Sequence, residues 1–185
     1  MSDDKPIARP ELFDALKTAE LIHDRAHLEN AIALMGRAVD EALNGEVPLF
    51  LTVMNGGLIF AGALALAITG DMEFDYVHAT RYRSGTQGQE LTWFKRPRAN
   101  MNGRIIVLAD DILDEGYTLR AVRDFCLEQG ARRVLIAVLC EKRHGRTAPG
   151  ISADFVGVEV PDRYVFGFGM DFYEQGRNLP GIYAI

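Results

Sequence analysis

The sequence predicts an α/β protein built on a parallel sheet with crossover helices, and three observations carry that prediction. Short apolar runs, LFLTVM at 49–54, RIIVLA at 104–109 and RRVLIAVLC at 132–140, lack polar alternation and read as strands covered on both faces. The segments between them carry helical spacing, and Gly, Asn or Asp clusters punctuate the strand ends. Strand, helix and strand repeating in this order give a parallel sheet.

Taken in order, Glu11 to Leu43 places Leu12, Leu16, Leu28, Ile32, Met35 and Val39 on one helical face, which predicts two helices broken near His23 to Arg25. His23 and His27 stand four apart, a spacing that suits a metal on one continuous helix, but no third ligand lies nearby in the sequence. After the Gly45 to Pro48 turn comes the first strand, stopped by Asn55, Gly56 and Gly57, and then LIFAGALALAI at 58–68 as a buried helix. A second strand is expected from about Met72 to Thr80, followed by the polar stretch RYRSGTQGQEL at 81–91. The Asn102-Gly103 turn opens the third strand, RIIVLA. A helix from about Tyr117 to Gln129 ends at Gly130 and hands over to RRVLIAVLC.

At 185 residues and 48% hydrophobic content, the chain is long enough for one core and is read as one soluble domain over 1–185. Its parts are N-terminal helices over about 11–43, a core over about 48–140 and a C-terminal part over about 141–185. A net charge of -6 with a pI near 5.2 excludes a protein that coats nucleic acid. Cys126 and Cys140 lie in apolar stretches without a zinc or CxxC pattern, as buried thiols do in a reducing compartment. The N-terminus, MSDDKPIARP, is acidic and polar, unlike a secretory signal. The longest apolar run, Leu58 to Ile68, is about half the roughly 20 residues of a membrane span. No membrane or nucleic-acid partner and a cytoplasmic location are expected.

In parallel sheets, ligands bind at the carboxyl ends of strands. That rule selects Asn55 to Gly57, Asp110 to Thr118, and Glu141 to Arg143. In RIIVLADDILDEGYTL an apolar strand delivers Asp110 and Asp111 to the sheet edge, and a short loop with Asp114, Gly116 and Thr118 precedes a helix. The loop and helix start supply backbone N–H groups and a positive dipole end that suit a phosphate. The carboxylates would repel it unless a ribose diol or Mg²⁺ lies between. The plain alternative is that the acidic pair ends the strand and Asp114 caps the helix. Capping needs one carboxylate; three stand around this loop.

The segment VLADDILDEGYTL, Val107 to Leu119, resembles the signature with which type I phosphoribosyltransferases bind phosphoribosyl pyrophosphate (PRPP). The resemblance implies a parallel-sheet type I phosphoribosyltransferase core with flanking helices, a mobile lid loop and a small base-binding hood formed from the C-terminal part. It implies that Asp110 and Asp111 hold the ribose hydroxyls and Mg²⁺. The loop of Asp114, Glu115, Gly116, Tyr117, Thr118 and Leu119 would cradle the 5′-phosphate, with Thr118 as a hydroxyl donor. Many members carry Thr where Glu115 stands, so Glu115 is expected to offer its backbone N–H and turn its side chain to water.

Downstream, LCEKRHG and DFVGVEVPDRYVFGFGMDFYEQGR resemble the hypoxanthine-guanine branch of that family, and the likeness runs from about Leu51 to Arg177. It implies that Lys142 donates to the 6-oxo group of a purine, that Tyr164 stacks on the ring and that Val165 reads the base edge through backbone groups. Asp171 would approach a second Mg²⁺, and Arg177 the leaving pyrophosphate. Taken singly, Lys142 and Arg177 also read as solvated surface charges and Tyr164 as a core aromatic. Asn55 and Gly56, with Gly57, would present backbone N–H groups to pyrophosphate, or form a plain turn; relatives often have Lys at the position of Asn55. RYRSGTQGQELTW, Arg81 to Trp93, stands where the family has a lid, with Arg81-Tyr82 where Ser-Tyr is common; an exposed hairpin connection is the alternative.

The activity implied is transfer of phosphoribosyl from PRPP to hypoxanthine, guanine or both, giving IMP or GMP and pyrophosphate in purine salvage. Asp114 is the candidate to handle the proton at N7. A homodimer or homotetramer is implied by relatives. The rivals are an RNA-binding transcription attenuator on the same fold, a xanthine-preferring transferase, and a receiver-type signalling domain. The last needs its acidic pair after the first strand rather than the third.

Overall fold

The computed structural model describes residues 11–81 and 91–185. Two sheets organise them. The larger has the order β4-β3-β2-β5-β6-β7, formed by Leu91–Lys95, Glu73–Arg81, Leu49–Met54, Ile105–Leu113, Arg133–Lys142 and Phe155–Val160. Its five strands from β3 to β7 run parallel, and β4 joins β3 antiparallel at the edge. The smaller sheet, β1-β9-β8, is formed by Glu20–His23, Ile182–Ala184 and Val165–Phe166, all antiparallel.

Side-chain alternation explains the layering. On β5, Ile105, Val107 and Ala109 enter one apolar cluster, while Ile106 and Leu108 enter another. On β6, Leu135, Ala137 and Leu139 face the first cluster, and Ile136 and Val138 the second. The helices α2 (Arg25–Leu43) and α3 (Leu58–Ala67) close the first cluster with Leu28, Ile32, Met35, Val39, Phe60 and Leu64. The helix α4 (Tyr117–Glu128) closes the second with Leu119, Val122 and Cys126. Because both faces are covered, the central strands read as continuous apolar runs. Val165, Ile182 and Ala184 of the small sheet belong to the first cluster, so the two sheets share a core. Cys126 and Cys140 are free and buried, and no helix among the described residues is long and apolar enough to cross a membrane.

Two expectations are corrected here. The break near His23 to Arg25 exists, but the segment before it is a short helix, α1 (Leu12–Leu16), followed by strand β1 rather than by more helix. Pairing with β9 decides the matter: Glu20 meets Ala184 and Leu21 meets Tyr183, a long-range partner that local spacing does not reveal. His23 and His27 stack at 5.0 Å, and His23 Nε2 meets the Glu159 carbonyl at 2.8 Å, tying β1 to β7. Asp24 begins α2 by accepting from the His27 N–H at 2.8 Å, and Asn44, in the left-handed region, ends it. The second correction concerns β5, which does not stop at Ala109. It carries Asp110 and Asp111 within the strand, because β6 continues beside it through Ile112↔Cys140 and Leu113↔Glu141. For the same reason Lys142 is the last residue of β6 rather than a residue beyond it. The lid expected over Arg81 to Trp93 has its ends in β3 and β4, and its middle, 82–90, lies outside the described residues.

Leu28, fully buried between α2 and the sheet, offers a direct check of this core. Leu28→Ala is expected to cost about 2–5 kcal/mol in urea unfolding, and a loss below about 0.5 kcal/mol would contradict the packing described.

Candidate active site

The parallel register brings the carboxyl ends of β2, β5 and β6 to one edge, which gathers Asn55–Gly57, Asp110–Asp114 and Lys142–His144. Between β2 and β5 the strand order reverses direction, and ligands of open parallel sheets bind at such a switch point. Asp110 and Asp111 are buried there, at 9% and 8% exposure, and the Asp111 N–H donates to Asp110 Oδ1 at 2.9 Å. Burial first, and then the neighbouring Asp111 charge, pushes the Asp110 carboxyl well above its ordinary range. Burial also raises Asp111, against the opposing pull of its contact with Asp110 and of the Arg177 charge. Two carboxylates so placed favour a cation or hydroxyl donors beside them.

Gly56 sits against this pair. A Cβ there would collide with the Asp111 carboxylate, and a Cβ on Gly169, whose φ is +109°, would collide with the Gly56 carbonyl oxygen. Three segments therefore meet with no room for a side chain. Gly169 belongs to a C-terminal turn held by Arg177: Nη1 donates to the Gly169 carbonyl at 2.9 Å, Nη2 pairs with Asp171 Oδ1 at 2.9 Å, and the Gly169 N–H returns a bond to the Arg177 carbonyl at 2.8 Å. Asp171 Oδ2 accepts from the Glu174 N–H at 2.9 Å, and the Asp171 carbonyl accepts from the Tyr164 hydroxyl at 3.1 Å. Tyr164 is 44% exposed and lies nearly parallel to Tyr173 with centroids 6.1 Å apart. Val165 is buried, and its backbone pairs with Ala184 in the small sheet.

A second group forms around Asp114. Lys142 Nζ donates to its Oδ2 at 2.8 Å, and His144 Nε2 lies 2.5 Å from its Oδ1. Burial alone would raise this carboxyl; the hydrogen bonds from Lys142 and His144, with the Lys142 charge, outweigh burial and hold it below its ordinary range. Asp114 is therefore an ionised acceptor at neutral pH. Beyond it, Gly116 with φ +75° turns the chain into α4, where L side chains rarely fit. Since α4 begins at Tyr117, its first-turn N–H groups, from Tyr117, Thr118 and Leu119, project toward the loop with the positive dipole end. The Leu119 side chain is buried in the second cluster and fixes that turn. Glu115 is exposed, and its carbonyl accepts from the Ala148 N–H at 2.8 Å. Asn55 is exposed at the end of β2.

Among the described residues no three His, Cys, Asp or Glu side chains converge into a metal-sized group. Asp110, Asp111 and Asp171 nonetheless offer oxygen donors only, the chemistry that suits Mg²⁺, an ion usually held by one or two carboxylates together with substrate phosphates. The first two are raised by burial, so a cation would have carboxylates to stabilise. The sequence reasoning missed His144, Gly169 and Glu174. The signal for His144 was its place two residues after Lys142, within a basic turn that reads as solvent-exposed.

An α/β sheet whose carboxyl edge combines a buried acidic pair with a loop at a helix N-terminus has the architecture of proteins that take phosphorylated ligands at a strand switch point. The sequence profile of the phosphoribosyl transferase domain matches residues 18–175, and the chain belongs to that family. The hypoxanthine-guanine phosphoribosyltransferase of Streptococcus pyogenes serotype M3 is 33% identical over 147 residues, 79% of this chain and 81% of that protein. Its counterpart in Streptococcus thermophilus is 34% identical over the same length and the same shares of each chain. Among solved structures, a hypoxanthine phosphoribosyltransferase from Staphylococcus aureus superposes with a TM-score of 0.86 at 23% identity, over 95% of this chain and 96% of that one. A hypoxanthine-guanine-xanthine phosphoribosyltransferase gives 0.81 at 24% identity, over 90% and 96%.

The glycine contacts yield a test. Gly169→Ala is expected to lose about 2 kcal/mol or more of stability through its positive φ and the Gly56 contact. Gly56→Ala, by displacing Asp111, is expected to weaken PRPP binding about tenfold or more in calorimetric titration. Wild-type stability and affinity in both would contradict the close approach of these segments.

Proposed function

We propose that the chain transfers the phosphoribosyl group of PRPP to a 6-oxopurine, hypoxanthine, guanine or both, releasing pyrophosphate in purine salvage. The observation that carries this reading is the run from the buried Asp110–Asp111 pair into the Asp114–Leu119 loop at the start of α4, with Lys142 and the Asp171–Arg177 pair on the same edge. The names of the relatives support it over the RNA-binding reading. The 5′-phosphate would sit on the first-turn N–H groups of α4 beside the Thr118 hydroxyl, with the backbone N–H of Glu115 and Gly116 nearby. Asp110 and Asp111 would hold the ribose hydroxyls. Asn55 and Gly56 would offer backbone N–H groups to the pyrophosphate, and Arg177 its charge. Mg²⁺, held by Asp110, Asp111 and Asp171 with substrate oxygens, would neutralise the departing charge.

Lys142 exchanges its Asp114 contact for the purine 6-oxo oxygen, and Tyr164 stacks on the ring, with Val165 beside its edge in the small sheet, the hood of the site. Purine N9 attacks the anomeric carbon as the bond to pyrophosphate breaks, through an oxocarbenium-like transition state and with inversion. The proton on N7 passes to Asp114 Oδ2, the oxygen that Lys142 vacates. A cytoplasmic enzyme fits this chemistry. A homodimer or homotetramer is supported by apolar side chains left exposed on α3, β3 and β4, where Leu66, Phe74 and Phe94 are 91%, 61% and 60% exposed.

The test is to incubate the protein with PRPP, Mg²⁺ and, separately, hypoxanthine, guanine, xanthine, adenine and uracil, and to measure nucleotide formed. Turnover with hypoxanthine or guanine is expected, and its absence with every 6-oxopurine would overturn the assignment. Preference for xanthine would redirect it within the family. Asp114→Asn is expected to lower kcat about 10²- to 10⁴-fold while leaving PRPP binding largely intact.

A further inference from the structure

His144 has no role in the chemistry described so far, yet its environment is built. Its side chain is 2% exposed, its Nε2 faces Asp114 Oδ1 at 2.5 Å, and its Nδ1 accepts from the Arg146 N–H at 3.0 Å. An imidazole nitrogen that accepts a hydrogen bond carries no proton. The Arg146 contact therefore leaves the ring proton on Nε2, which donates to Asp114. Arg146 is itself fixed by a two-pronged pairing with Asp162, at 2.8 and 2.6 Å. A chain of contacts thus runs from Asp162 through Arg146 and His144 to the Asp114 carboxylate.

We propose that His144 is a positioning residue, which pins Asp114 through Oδ1 so that Oδ2 is left aimed at the purine when Lys142 departs. The inference rests on Asp114 as the acceptor of the purine proton. Its physical basis is an asymmetry between the two donors. Lys142 is a long, flexible ammonium that the substrate can draw away. His144 is a buried ring held on its far side by the Arg146 N–H. Without it, a carboxylate 40% exposed at the mouth of a loop would turn toward water once Lys142 left, and misplacement of about 1 Å can cost about 10²-fold in rate.

The proposal also sets a pH response. The groups around Asp114 are Lys142 and His144 at the end of β6, Cys140 beneath them, Arg146 and Asp162 from the turns on either side of β7, and the adjacent Glu115. With Lys142 on the substrate, His144 is the donor that still lowers the Asp114 carboxyl. Its removal raises that carboxyl, and a base must be ionised to act, so activity is lost at a higher pH than in the wild type.

The experiment compares pH profiles of kcat and KM for wild type, His144→Leu, His144→Gln and Asp114→Asn, with ¹⁵N spectra of the wild-type imidazole. His144→Leu is expected to lower kcat about 10- to 100-fold, to leave KM for PRPP within about twofold, and to move the acid limb up by about one pH unit. His144→Gln, whose amide donor reaches to about the same point as Nε2, is expected to restore both. A role in folding alone would reduce the active fraction without moving the limb. If His144→Leu does not fold, His144→Asn, whose amide is too short to reach Asp114, replaces it. A slow Asp114→Asn with wild-type profiles in the His144 variants overturns this proposal and spares the role of Asp114. Near wild-type turnover in Asp114→Asn removes both. An Nδ1-protonated ring in the wild-type spectrum overturns the proposal independently of activity.

Discussion

A sheet that is apolar on both faces can place its chemistry only at its carboxyl edge. The buried side chains of β2, β5 and β6 are committed to one cluster or the other, except for Asp110 and Asp111, the charged residues buried in the described part of the chain. Their desolvation is the tension around which the site is arranged. Gly56 comes close enough to shield one carboxylate, and Arg177 compensates it from the C-terminal turn. Substrate hydroxyls and a cation would complete the compensation that the protein alone provides in part.

That arrangement also divides labour. In the proposed reaction the acidic pair faces the sugar and the leaving group, and its carboxyls are raised by burial. Asp114, only a few residues on, is held low by two donors. One short stretch therefore contains carboxyls pushed in opposite directions by their surroundings, a contrast that commonly marks separate tasks at one site.

Much of this was legible in the sequence, and the limits have physical causes. The central strands announced themselves because burial on both faces removes polar alternation, and Val107 to Leu119 marked the loop proposed to take the phosphate. β1 was not legible, because ELIH lies within helical spacing and becomes a strand only by pairing with Ile182 to Ala184. The length of β5 and β6 was set by each other, so the acidic pair and Lys142 fell inside strands that the sequence ended early. The pairing of Lys142 with Asp114 joins two residues from different motifs, each of which suggested a separate partner. His144 was hidden by its company, since Lys142, Arg143 and Arg146 make the turn look like solvated surface.

The small sheet has a consequence for assembly. Among the described residues β1, near residue 20, pairs with β9, near residue 183, and β8 completes the same sheet from just beyond β7. The strands of the large sheet pair with one another without β1. The turn that carries Gly169, Asp171 and Arg177 lies between β8 and β9, with the Phe168 N–H donating to the Leu179 carbonyl. The acidic pair is therefore placed by one sheet and its compensating charge by the turn that follows β8, so the site is complete only when both are folded together.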